Sequence, residues 1–144
     1  MTNWNVAPTA AGHPILRGVE PFVVREEFYI RLRMPENDPR RTPLLIATPV
    51  TPTRLPALTQ PMVPGGPPSP LTDPNIESSL VSWAIQREGR GRGFVMTGVD
   101  WHSNLSMDSY RRQLLNGIVW AANLEVPAGG VECSLPAAPA APAQ

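Results

Sequence analysis

An α/β fold is what this sequence predicts, on three observations. An alternating run reads as a strand from Phe22 to Met34, two apolar runs flank a glycine-rich turn near residues 87–93, and an amphipathic helix extends from Met107 to about Ala122. In the first run Phe28, Ile30, Leu32 and Met34 alternate with Tyr29, Arg31 and Arg33. One face is therefore apolar and the other cationic.

Leu44 to Thr48 is a second short apolar run, bounded by Pro43 and Pro49, with the length of a buried strand. Residues 51–75 carry prolines at 52, 56, 61, 64, 67, 68, 70 and 74. So many fixed φ angles and missing donors exclude a helix or central strand, and the stretch reads as a loop inserted in the domain. Val81 to Gln86 and Phe94 to Thr97 are joined by Arg87-Glu88-Gly89-Arg90-Gly91-Arg92-Gly93, which suits a β-hairpin. The arginine-glycine repeat is short and lacks interleaved aromatics, so it reads as a solvated turn rather than an RNA-binding tract.

Ser106 can cap the helix, and Asp108 lies in its first turn, where the helix dipole favours an anion. Tyr110, Leu114, Ile118 and Ala121, with Leu115, Val119 and Ala122 beside them, are expected to form the packed stripe. Arg111 and Arg112 are expected to face solvent. Asn123 suits a left-handed stop, and Pro127 prevents continuation. Residues 133–144 form a Pro/Ala-rich tail that cannot build a core.

Composition removes several functions. Among 144 residues, 12 basic side chains balance 12 acidic ones, so no broad field attracts nucleic acid or an anionic membrane. All the basic residues are arginine, which excludes a protein-bound Schiff base. The lone Cys133 cannot form an internal disulfide and precedes the tail, away from any structured pocket. No apolar run approaches the roughly 20 residues of a membrane span, and Met1 to Ala11 lacks the pattern of a signal peptide, so a cytoplasmic location is expected.

Four segments carry a family pattern: His13-Pro14-Ile15-Leu16-Arg17-Gly18-Val19; Glu26-Glu27-Phe28-Tyr29; Gly91-Arg92-Gly93-Phe94 running on to Trp101-His102-Ser103-Asn104; and Asn116-Gly117-Ile118-Val119-Trp120-Ala121-Ala122. In this order, over about Trp4 to Val131, they resemble the second half of the ThuA-like (trehalose utilisation) family. The resemblance implies a partial flavodoxin-like sheet, as in the class I glutamine amidotransferase-like superfamily, with a C-terminal amphipathic helix and the N-terminal half absent. Residues 1–132 would then be the C-terminal part of a ThuA-like domain, with the loop at 51–75 inserted in it. Asp100 stands where the family usually has its first histidine.

The resemblance also implies carbohydrate catabolism, acting on a disaccharide or keto-sugar. His102, Asp100, Glu26 and Glu27 are the candidate catalytic residues, and Tyr29, Trp101 and Asn104 the candidate substrate-binding ones. Asp100 and His102, two apart after a strand, can pair as orienting carboxylate and general base or bind one divalent metal; the spacing also arises by chance. Glu26 and Glu27 can bind sugar hydroxyls, hold a metal or move a proton, or else pair with Arg25 or Arg31. His13 reads as a loop-fixing hydrogen-bonding residue, and Trp83 and Trp120 as core. Amidotransfer needs a cysteine on a strand-to-helix turn, a place Cys133 does not occupy. The alternative is a non-catalytic piece that docks on a separate N-terminal half-domain or on a second copy of itself through an exposed sheet edge.

Overall fold

The computed structural model describes residues 2–10, 12–35, 37–51, 53–54, 75–76, 78–89 and 91–135. Its strands are β1 (Thr2–Pro8), β2 (Phe22–Glu26), β3 (Arg41–Pro49), β4 (Thr53–Arg54), β5 (Asn75–Ile76), β6 (Ser79–Gln86) and β7 (Arg92–Met96), followed by the helix α1 (Asp108–Ala121). Five strands form one sheet in the order β2-β1-β3-β6-β7, and β4 and β5 pair separately. Short 3-10 turns occupy Pro14–Leu16 and His102–Ser106.

Every pairing in the main sheet is antiparallel. This overturns the flavodoxin-like, amidotransferase-like parallel sheet that the resemblance implied. The reason lies in the connections. Parallel neighbours need a crossover, usually a helix, whereas α1, the one α-helix among the described residues, follows the last strand. The described residues between β1 and β2 carry only a 3-10 turn. The result is a curled antiparallel sheet with one helix packed against it.

β1 is an interior strand of this sheet, between β2 and β3, although its sequence drew no strand expectation. It buries Trp4 and Val6 and leaves Asn3, Asn5 and Ala7 exposed, the alternation of a strand with one covered face. β3 departs from alternation because Leu44 and Leu45 are both buried. Register shifts against β6 at Pro43/Leu45 and Leu45/Ile46 turn successive side chains inward, as a β-bulge does. The expected hairpin is present: β6 and β7 pair from Ser82↔Met96 to Gln86↔Arg92. The alternation expected from Phe22 to Met34 is paired only over β2, beyond which Phe28 is buried and Leu32 is exposed.

α1 carries a different buried face from the one expected. Tyr110, Gln113, Asn116, Gly117 and Trp120 face inward, while Ile118 is 56% exposed. Phe94 explains part of this rotation. Its ring occupies the space that a Cβ on Gly117 would take, so β7 and α1 meet closely at the glycine. Gln113 Nε2 donates to Ser82 Oγ at 2.6 Å, and Ser82 Oγ donates to the Val95 carbonyl at 2.8 Å, which joins helix and hairpin through polar groups. Asn123, at φ 61°, ends the helix in the left-handed conformation expected of it.

Arg111 and Arg112, expected to face solvent, donate inward instead. Arg111 Nη1 donates to the Leu105 carbonyl at 2.7 Å, and Arg112 Nη1 to that of Gly18 at 2.8 Å. Ser106 ends the 3-10 turn and does not cap α1, whose N-cap is Met107. Most of the proline-rich insertion and the tail from 136 lie outside the described residues. The pairing Thr53↔Ile76 and Arg54↔Asn75 brings the two ends of the insertion together. No described helix is long and apolar enough to cross a membrane.

Candidate functional site

The edge strands β2 and β7 end near one another because the sheet curls. Just beyond them, Tyr29 N donates to the Thr97 carbonyl at 3.2 Å. Glu26, the last residue of β2, sits in this junction at 1% exposure. A buried carboxylate is costly unless donors replace its water, and here they do. Oε1 accepts from the Glu27 amide at 2.9 Å. Oε2 accepts from Tyr110 Oη at 2.5 Å, Asn104 Nδ2 at 3.0 Å and the Val99 amide at 3.2 Å.

The shell continues outward. The Val99 amide also donates to Tyr110 Oη at 2.6 Å, Asn104 Nδ2 also donates to the Arg25 carbonyl at 3.0 Å, and Trp4 Nε1 donates to the Glu26 carbonyl at 3.0 Å. Val99 adopts φ 76°, a conformation that a β-branched residue rarely takes. Its two hydrogen bonds offset that strain. Gly98 beside it leaves room for Phe28 and Tyr110, since a Cβ there would press on both.

Burial opposes ionisation of Glu26, but the bonds from Tyr110, Glu27, Asn104 and Val99 outweigh it and hold its pKa below the ordinary glutamate value. Burial first, and then the Glu26 carboxylate, push the Tyr110 hydroxyl well above the usual tyrosine range. At neutral pH the pair is therefore a fixed anion and a neutral phenol. In that state the carboxylate is held in place by its four donors.

The other sequence-predicted site residues lie around this junction. Glu27, Tyr29, Asp100 and His102 are exposed, with Tyr29 at 68%. Trp101 is partly buried, and the Arg25 guanidinium carbon lies 5.2 Å from its ring centroid. Asn104 is buried and committed to Glu26 and Arg25. Asp100 and His102 could offer a metal at most two side-chain ligands, and no group of three His, Cys, Asp or Glu residues converges among the described residues.

Tyr110 and Trp4 were not anticipated as partners of Glu26. A signal was present, because a tyrosine within a helical apolar stripe needs a partner for its hydroxyl and a glutamate at a strand end needs donors. No family model, no curated protein and no solved structure matches this chain, so its assignment rests on its own residues.

Proposed function

We propose that this chain handles carbohydrate, as its ThuA-like motifs suggest, with the surface over Glu26 taking a disaccharide or keto-sugar. One observation carries the reading. The Glu26 carboxylate draws together two motif segments far apart in sequence, Glu26 to Tyr29 and Gly98 to Asn104, through the Val99 amide and Asn104. Around this anchor lie the groups a sugar requires. Tyr29 and Trp101 offer aromatic surface, and Glu27, Asp100 and His102 offer exposed carboxylate and imidazole groups. Glu26 is a positioning residue in this account, and His102 with Asp100 the acid–base pair.

Calorimetric titration with a keto-disaccharide and its parent disaccharide, with and without a divalent cation, tests the reading. Wild type is expected to bind one of them saturably, Trp101→Ala to bind it at least about tenfold more weakly, and His102→Ala to lose any turnover. Absence of binding to wild type would overturn it.

A second reading, an assembly piece, is favoured by the open edge of the sheet at β2, where Val23 is 57% exposed. Light scattering separates the two, since this reading requires self-association of the isolated chain or capture of a separately expressed N-terminal half-domain.

A further inference from the structure

A concave site lies toward the C-terminal end of α1, about 15 Å along the helix from Tyr110. It is an open hollow of about 260 Å³, and its lining includes Pro14, Arg17, Arg92, Trp120, Glu125 and Val126. Two of these side chains are guanidinium groups brought from distant parts of the chain. Arg17 follows the first 3-10 turn, where its Nη1 donates to the Val126 carbonyl. Arg92 opens β7; its guanidinium carbon lies 4.9 Å from the Trp120 ring centroid, and its Nη1 donates to the Trp120 carbonyl at 3.3 Å.

These carbonyls account for part of the arrangement, that of Trp120 because the end of a helix attracts cations. They do not use it up. Each guanidinium has five N–H donors, and one from each is directed at a carbonyl. The ion pairs among the described residues join Arg40 to Asp38 and Arg111 and Arg112 to Asp108, so neither Arg17 nor Arg92 has a carboxylate partner there. Glu125 is exposed and leaves the side chains lining the site with a net positive charge. His13, whose ring lies 5.2 Å from that of Trp120, is held below the ordinary histidine pKa by burial and then by the charge of Arg92, in keeping with a positive field here.

We propose that this cavity binds a phosphoryl group, free or as the monoester of a small molecule, with Arg17 and Arg92 as its ligands. Forked guanidinium donors match the oxygens of a phosphoryl dianion, and the partly buried setting strengthens each charge-assisted bond. Trp120 and Pro14 give the wall an apolar part against which the body of an ester can rest. The volume falls just below that of ordinary small-molecule pockets, which limits the occupant to a compact one. This site lies away from the Glu26 junction and stands independently of the carbohydrate reading.

The test titrates the full chain with inorganic phosphate, a hexose 6-phosphate, the parent hexose and a hexuronate. The two phosphates distinguish a free from an esterified occupant, and saturable binding of either, with no binding of hexose or hexuronate, supports the site. Arg17→Gln and Arg92→Gln are each expected to weaken phosphate binding by about tenfold or more. Arg92→Lys keeps a cation over Trp120, and with it the fold, but loses the fork and is also expected to bind more weakly. His102→Ala should bind phosphate as wild type does, even if sugar binding at the other site fails. Absence of saturable binding of both phosphates to wild type, or equal phosphate affinity in wild type and Arg92→Lys, would overturn the proposal.

Discussion

The Tyr110 hydroxyl donates to Glu26 Oε2 at 2.5 Å across a sequence separation of 84 residues. Through this bond the first turn of α1 holds the end of β2, and the loop after β7 is held by the same oxygen. Tyr110→Phe removes the donor while keeping the ring that packs edge-on against Phe22. A hydrogen bond to a charged group is worth about 1.5–3 kcal/mol, and denaturant unfolding should register a loss of that size. Glu26→Gln should cost a similar amount. The double variant should cost less than the sum of the two, because both changes break the same bond.

Acid stability follows from the same carboxylate. Glu26 has an ordinary value of 4.5 and is lowered in the folded chain. Its contribution is therefore complete above pH 4.5 and is lost as pH falls from there through the folded value. Asp38, held at about 2 mainly by Arg40, acts in the same direction on the surface. Thermal unfolding from pH 7 to pH 2 should show a shallower decline for Glu26→Gln than for wild type, with some slope remaining. Equal slopes would remove Glu26 from the acid response.

An alkaline limb is expected as well. The Tyr110 pKa is raised from 10.0 on folding, so its contribution is complete below that pH and is lost above it. Ultraviolet titration of the two tyrosines should show one that ionises only as the chain unfolds, and Tyr110→Phe should abolish that step.

Gly117 tests the contact between helix and hairpin. On helix propensity alone, Gly117→Ala would gain up to about 1 kcal/mol. The collision with Phe94 should reverse the sign and leave a net loss of about 1–3 kcal/mol. Phe94→Leu in the same chain should recover part of it.

Asn116 fastens two loops to the inner face of α1. Its Nδ2 donates to the carbonyls of Ile15 and Arg17 at 3.0 and 2.9 Å, and its Oδ1 accepts from the Val131 amide at 2.7 Å. Asn116→Leu keeps the branched outline, adds bulk, and leaves buried polar groups without partners, at a cost of about 2–4 kcal/mol. Hydrogen exchange should place the largest loss of protection at Val131, whose amide loses its acceptor.

Local pattern revealed the β6–β7 hairpin, the extent of α1 and its left-handed stop at Asn123, because each depends on turn chemistry and periodicity carried within a few residues. Glu26 and Asn104 were singled out as candidates, but not as partners of one another. The arrangement of the sheet was not, since hairpins and crossovers share strand patterns and the family resemblance supplied a parallel topology. β1 was hidden by its asparagines and Pro8. The inner face of α1 was misassigned because Gln113 and Asn116 look like solvent-facing residues until Ser82 and the carbonyls of Ile15 and Arg17 are seen opposite them. Periodicity weighs side chains by polarity, and a buried amide with partners breaks that rule. Arg111 and Arg112 likewise extend their stems along the surface to reach carbonyls.

Glu26 is a buried, ionised anchor held by Tyr110, Asn104 and the Val99 amide. Carbon-detected NMR titration of the Glu26 carboxyl, in wild type and in Tyr110→Phe, measures this directly. The wild-type midpoint is expected below that of an ordinary glutamate, with an upward shift when the phenol is removed. A wild-type midpoint at or above the ordinary value, unmoved by Tyr110→Phe, would contradict it.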